Sequence, residues 1–487
     1  MTTPVTVKFA DYAPDASRYN PAVTDYLRNL VPQGDGYGPF PGWSAFGTAL
    51  PARCRGGITV RKSDGSAAIY AGTATNLYRF NAATSAWVSV TRVAGGAYAV
   101  PDTADWCFTL FGNKLIATNG FDDNQFIDID GGTNFAALTN SPKAFYCCTS
   151  GDFLWLGRLT SYPKSVAWSG NNDSTYWTYG YKGSDQQELA DGGLVRGIMP
   201  VGNDVIILQD DGRRVAERIG GNLVYKIAPI TEGIGCYAPY SAISVRSTIF
   251  WYGPGGFFEG VNATPIGFEK VDRMVRKEAD TQLLREMRGF YDPDRNMVGW
   301  IIRKTGGTSF ILGYNWALKK WTRIEIDMDF IFPAISPGYT IGDLATLGYT
   351  MNNIPYPFDA AFWSGTGIRT LSGFTSAGAF GWFQSTPPAA RVETVDLEFV
   401  EGEAAFTNRF KLVGDPQNAY LTGAIGVRKN HGDATLVYTP TLTAVPSTGF
   451  MWGRKRGAVH RFRVDIAQHD WGNVSGVRAW MRKGGLR

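Results

Sequence analysis

A recurring unit constrains this chain more than any other feature. It runs as a short apolar strand, a Gly/Asn/Asp turn, a second strand, another turn, then an aromatic residue opening a third strand. It is clearest at Ile69-Tyr70-Ala71-Gly72 through Leu77-Tyr78-Arg79-Phe80 to Trp87, and at Val298-Gly299-Trp300-Ile301-Ile302 through Phe310-Ile311-Leu312 to Trp321. Related units begin near Leu115, Leu154, Val205, Ile249 and Ala361. Starts at 69, 115, 154, 205, 249 and 298 are 46, 39, 51, 44 and 49 residues apart. A period of roughly 40–50 residues, with about four short strands per unit, is what the blades of a β-propeller produce. One such sheet cannot bury both faces alone, so it stacks on its neighbours around an axis. The expected fold is all-β, a six- or seven-bladed propeller over 51–400 with an additional C-terminal antiparallel β-domain.

At 487 residues, with 44% hydrophobic, 14% aromatic and only 18% charged residues, the chain can bury a large core. A net charge of +4 from 47 basic and 43 acidic residues argues against a nucleic-acid condenser or a membrane-surface binder. The opening Met1-Thr2-Thr3-Pro4-Val5 lacks a signal-peptide pattern, and no run approaches the ~18 apolar residues of a membrane span, so manufacture and assembly in a cytoplasm are expected. Cys54, Cys107, Cys147, Cys148 and Cys236 lack zinc or redox spacing and read as buried free thiols. Alternation along a strand predicts that at most one of Cys147 and Cys148 faces the core.

Residues 1–50, rich in Pro, Gly, Asn and Asp, read as an extended segment lying over another surface. Val271, Met274, Val275, Leu283, Leu284 and Met287 predict a short amphipathic helix within about 271–288. Residues of about 330–360 read as an insertion before the last repeat. From 401 to 487, alternating runs at Asn408–Leu412, Ala424–Arg428 and His460–Ile466 predict a sandwich-like domain. Its end is cationic: Arg454, Lys455, Arg456, Arg461, Arg463, Arg478, Arg482, Lys483 and Arg487 face only Asp465 and Asp470 from 451 onward. Of these, Arg454, Lys455, Arg456, Arg478, Arg482 and Lys483 form the candidate partner-facing patch. Three roles stay open for it: a solvated face, contact with an acidic partner subunit, or contact with DNA phosphates.

No constellation points to catalysis, and no catalytic, metal or cofactor residue is expected. His431, His460 and His469 lack ligand spacing, no GxSxG elbow is present, and Asp128-Ile129-Asp130-Gly131 lacks the remaining ligands of a calcium loop. Gly253-Pro254-Gly255-Gly256 lacks the Lys-Ser/Thr of a phosphate cradle, and Ser169–Trp177 matches a sialidase Asp-box badly and once.

Several phrases, in order along the chain, carry a family resemblance. Asn29-Leu30-Val31-Pro32 followed by Gly36-Tyr37-Gly38-Pro39-Phe40-Pro41 is the first. Val166-Ala167-Trp168-Ser169-Gly170 ending at Tyr176-Trp177, the Tyr291-Asp292-Pro293-Asp294-Arg295-Asn296-x-Val298 hairpin, and Tyr339–Leu344 leading to Phe358-Asp359-Ala360 follow. With Arg461-Phe462-Arg463-Val464 and Gly476-Val477 they resemble the tail nozzle proteins of short-tailed bacteriophages, also called packaged-DNA stabilisation or tail tubular B proteins. The resemblance implies a structural virion protein of the tail, assembled in the host cytoplasm. It implies a homo-hexameric ring below an adaptor ring, retaining packaged duplex DNA and giving it a channel for ejection, with tail fibre, spike or needle proteins as further partners. A carbohydrate- or receptor-binding propeller, with clustered aromatics and carboxylates on one face, and a propeller hydrolase, with carboxylates converging on the axis, are the other classes.

Overall fold

A computed structural model of the chain describes residues 3–17, 20–221, 223–336, 369–399, 403–430 and 435–483, with positions 338, 339, 354, 357, 359, 363, 432 and 433. Among these residues seven antiparallel blades form a closed β-propeller. Blades one to six occupy 57–89, 107–137, 144–188, 195–232, 243–265 and 288–324. Each contributes four strands in chain order. Their first strands, Gly57–Arg61, Cys107–Phe111, Ala144–Ser150, Val195–Val201, Ile243–Val245 and Arg288–Asp292, line the axis in succession. Phe330–Ile335, the first strand of blade seven, packs beside both Arg288–Asp292 and Gly57–Arg61 and closes the ring.

The repeat read from the sequence coincides with the second strand of each blade: Ala67–Gly72, Lys114–Thr118, Phe153–Leu159, Asp204–Gln209, Thr248–Gly253 and Met297–Arg303. These strands are buried on both faces, because each sheet is covered by a neighbour on either side, and so they read as continuous apolar runs. The same geometry corrects the expectation for the adjacent cysteines. Cys147 faces the blade-two side with Ile116 and Leu154, Cys148 faces the blade-four side with Val195 and Ile207, and both are buried. Trp87 and Trp321 lie on the outermost strands, Ala86–Ser89 and Lys320–Ile324. Trp321 is fully buried and Trp87 only half-buried.

Blade seven is completed from the other end of the chain. Gly42–Ala45 pairs antiparallel with Phe380–Ser385, Trp43 opposite Phe383. The first fifty residues are therefore a set of short strands shared among sheets. Thr3–Lys8 pairs with Val474–Lys483, Asp11–Tyr12 joins the edge of blade six opposite Trp321, and Leu27–Arg28 pairs with Ala390–Glu393. The hairpin Leu30–Gln33/Gly36–Pro39 joins the sheet of Val474–Lys483 through Tyr37.

The C-terminal module is a two-sheet sandwich. One sheet runs Met451–Gly457, Ala405–Gly414, Val474–Lys483, Gly36–Pro39, Leu30–Gln33, and the other runs Val437–Tyr438, Leu421–Arg428, Val459–Ile466, Ala390–Glu393, Leu27–Arg28. It begins at Ala390, ahead of the boundary expected at 401. Phe410 and Phe462 meet between the sheets, with ring centres 5.1 Å apart. One continuous core joins this interior to that of blades five and six through Trp300, Trp321 and Phe257.

The helix is shorter than expected, Asp272–Glu278 followed by a 3-10 turn at Leu284–Glu286. Ala279 leaves it in extended conformation to bridge Lys304 of blade six. The expected insertion of about 330–360 begins inside the first strand of blade seven, and 340–353 lies outside the described residues. Ala361, the seventh repeat start, also lies outside them.

Candidate functional site: a cationic and aromatic sheet face

Strand alternation sorts the C-terminal basic residues. In Val474–Lys483, Val477, Ala479 and Met481 point into the sandwich core, leaving Arg478, Trp480 and Arg482 on the outer face. In Met451–Gly457, Trp452, Arg454 and Arg456 are exposed while Met451 is buried. Between these two strands runs Ala405–Gly414. Its register shifts between Thr407 and Arg409, and the extra residue resets the alternation. Arg409 then stands outward, opposite both Trp452 and Trp480. Phe406 falls between Arg456 and Arg482, and Lys411 lies opposite Arg478.

The result is a box of rings around a guanidinium. Arg409 lies 4.4 Å from the ring centre of Phe450 and 4.9 Å from those of Trp452 and Trp480. Phe450 packs edge-on against Trp480 at 4.9 Å. Arg482 covers Phe406 at 4.8 Å, and Lys411 sits 5.6 Å from Phe450. Ring faces attract these cations without neutralising them. Among the described residues no carboxylate lies within ion-pair distance of Arg409, Lys411, Arg454, Arg478 or Arg482, and Trp452 on the edge strand is 54% exposed. This face can bind a polyanion by charge while offering flat apolar surface to it.

The six predicted residues share one sheet, with differences. Lys455 pairs opposite the inward Thr407 and is half-buried, and Lys483 makes a 2.7 Å ion pair with Glu403. Arg461 and Arg463 stand on the other sheet. Arg461 is buried against Asp396 at 2.8 Å and Asp25 at 2.6 Å, and Arg463 pairs with Asp465 at 3.2 Å. Arg487 lies outside the described residues. Sequence reasoning missed Arg409, Lys411, Phe450, Trp452 and Trp480. The signal was present in the alternations Trp452-x-Arg454-x-Arg456 and Arg478-x-Trp480-x-Arg482, which place cations and indoles on one face.

The other candidate groups sit in structural settings. His460 is buried on Val459–Ile466, where burial pushes its imidazole down to about 4 and keeps it neutral. His469 stacks on Tyr420 at 4.3 Å with Nδ1 2.8 Å from the Ala467 carbonyl, and His431 lies outside the described residues. Asp128 accepts the backbone N–H of Asp130 at 2.9 Å within a turn. Gly253 and Gly256 bracket a hairpin turn. Asp272 behind it is raised to about 6 by burial. Among the described residues no group of three or more His, Cys, Asp or Glu could hold a metal ion, and no helix is long and apolar enough to cross a membrane.

No protein-family model matches the chain, and no curated protein matches it. Solved structures similar to it include the N-terminal domain of Nup159, at TM-score 0.37 and 9% identity over 73% of this chain and 97% of that one. YCF48 bound to D1 peptide gives TM-score 0.36 and 12% identity over 71% and 95%. The extracellular domain of BT4673 from B. thetaiotaomicron gives 0.38 and 10% over 82% and 48%. The strand order and the closure of the ring are what identify the propeller in this chain.

Proposed function

We propose that this chain is a structural protein of a short-tailed phage virion, the subunit of a ring-shaped nozzle. In this reading it assembles as a homo-hexamer in the virion tail, joins an adaptor ring, retains packaged DNA and gives it a path for ejection. Fibre, spike or needle proteins would attach to the same body.

The observation that supports this reading is where the family-like phrase Asn29-Leu30-Val31-Pro32 sits. Asn29 is buried at φ 60°, where its amide donates to the Ala389 carbonyl at 2.8 Å and accepts from the Glu325 N–H at 2.7 Å. Thr322 donates its hydroxyl to the Leu30 carbonyl, and Phe40 packs edge-on against Phe383 of blade seven at 5.5 Å. The phrase therefore fastens blades six and seven to the sandwich. A phrase whose residues hold two modules together supports a resemblance of architecture. A fused body with a cationic face suits a ring component that must hold its geometry under load. Beside the propeller axis the buried ion cluster of Arg288, Asp105 and Asp329 ties three blades together, and the genome's path in this reading runs between subunits.

The cationic face is assigned to docking an acidic partner ring. Reversing Arg454, Arg456, Arg478 and Arg482 to Glu is expected to abolish joining of the protein to DNA-filled heads. Folding should be nearly unchanged, since exposed substitutions usually shift stability by less than about 0.5 kcal/mol. Normal attachment with leakage of DNA would instead assign the face to phosphate contact, with a salt dependence that falls as charges are removed. Normal attachment and normal retention together would remove both roles.

A further inference from the structure

A second candidate site, this one concave, lies at the propeller's mouth, at the end of the axis where the first strands of the blades begin. It is a cavity of about 330 Å³ lined by Phe121, Phe145, Tyr146, Tyr237, Tyr240, Arg158, Arg196, Arg285 and Glu286, among others. Its walls come from blades two to four and from the segments leading into blades five and six. No single repeat reveals it.

Three arginines line it, and their pairing is uneven. Arg196 is neutralised by Asp210 at 2.5 Å, and Glu286, the only carboxylate of the lining among the described residues, lies 3.9 Å from Arg53. Arg158 and Arg285 have no carboxylate partner among the described residues. Arg158 is held over the Phe145 ring at 4.0 Å, with its Nε buried and without a hydrogen-bond partner, and its backbone takes φ 53°. A left-handed backbone in a non-glycine residue is strained, and such strain gathers where a side chain must be aimed. Arg285 covers Tyr237 at 4.8 Å. Charge in a low-dielectric cleft focuses its field into that cleft.

The remaining surface is aromatic. Phe121 and Phe145 meet edge-on at 5.4 Å, and Tyr146 and Tyr240 at 6.3 Å. A fitting ligand therefore joins one planar anion to a ring-sized body with apolar faces. A free phosphate has no such body, and an acidic side chain offers only one or two methylenes. A pyranose bearing a carboxylate satisfies both, with its C–H face on the aromatic rings and its carboxylate in the guanidinium forks. The volume sits at the lower end of ligand pockets, suited to one acidic sugar unit. We propose that the propeller mouth binds a carboxylate-bearing sugar, a uronic or nonulosonic acid residue of a surface polysaccharide, through Arg158 and Arg285.

The test is titration of the full-length protein with glucuronate oligosaccharides and with N-acetylneuraminate, followed by calorimetry. Dextran oligosaccharides serve as the neutral comparison, with hexaglutamate and inorganic phosphate as the anionic ones. Saturable binding of at least one sugar acid is expected, absent with dextran, weakened by salt, and reduced about tenfold or more in Arg285→Met and Arg158→Met. Arg285 is exposed, so its variant keeps the test valid if Arg158→Met does not fold. The proposal is overturned by absence of saturation with both sugar acids, by unchanged affinity in Arg285→Met, or by tighter binding of hexaglutamate or phosphate.

Discussion

Arg288→Met is expected to destabilise the propeller by about 3–5 kcal/mol, read from the urea dependence of its unfolding. Arg288 opens the first strand of blade six and is buried with its partners. It donates to both oxygens of Asp105, at 2.6 and 2.7 Å, and to Asp329 Oδ1 at 3.2 Å. Asp105 leads into blade two and Asp329 into blade seven, so a single guanidinium ties three blades at the axis. Burial opposes its charge, but the two carboxylates outweigh that and raise its pKa above the ordinary arginine value. Removing it leaves Asp105 buried without a cation, whereas Asp329 keeps Arg53 at 2.8 Å and Arg303. The cost is therefore concentrated on Asp105. The double variant Arg288→Met/Asp105→Leu should regain more than half of the loss, because a buried pair replaced whole by apolar groups costs little. A loss below about 1 kcal/mol in the single variant would mean that water reaches the cluster.

Trp321→Ala is expected to cost about 3–5 kcal/mol, and Trp87→Ala about half as much. Both tryptophans close a repeat in the sequence, yet their surroundings differ. Trp321 is fully buried, donates its indole N–H to the Ile266 carbonyl at 2.9 Å, and packs on Tyr314 at 4.9 Å and Phe257 at 5.2 Å. Its strand is also covered by Asp11–Tyr12 from the start of the chain. Trp87 touches Phe80, Phe374 and Phe380 at 5.2–5.4 Å across the junction of blades one and seven, but its strand is the uncovered edge of blade one. Less apolar area returns to water when it is removed. Thermal unfolding of the two variants side by side measures the difference, and equal losses would contradict the burial that distinguishes them.

The propeller was legible because its second strands are sandwiched between neighbours and must be apolar on both faces. Leu115-Ile116-Ala117 and Val205-Ile206-Ile207-Leu208 stand out in any reading. The first strands were not legible. They face the axis on one side, carry polar residues such as Thr109 and Ser244, and were absorbed into the turns between units. The closing strand Gly42–Ala45 was hidden by distance, since nothing local tells a strand that its partner is Phe380–Ser385. Two-residue strands such as Leu27–Arg28 have no period to read. At the candidate face, charge counting found the basic residues of Met451–Gly457 and Val474–Lys483. It missed Arg409, because only the register shift after Thr407 turns that residue outward. The candidate patch left out Arg461, whose strand belongs to the opposite sheet.

The phage-nozzle reading turns on assembly, and its most direct test is the symmetry of the purified protein alone and mixed with the adaptor ring of a short-tailed phage. Native mass measurement with low-resolution imaging is expected to give a six-fold ring, formed or locked by contact with the adaptor and enclosing a channel wide enough for duplex DNA. A protein that stays monomeric at every concentration and does not associate with the adaptor would contradict it.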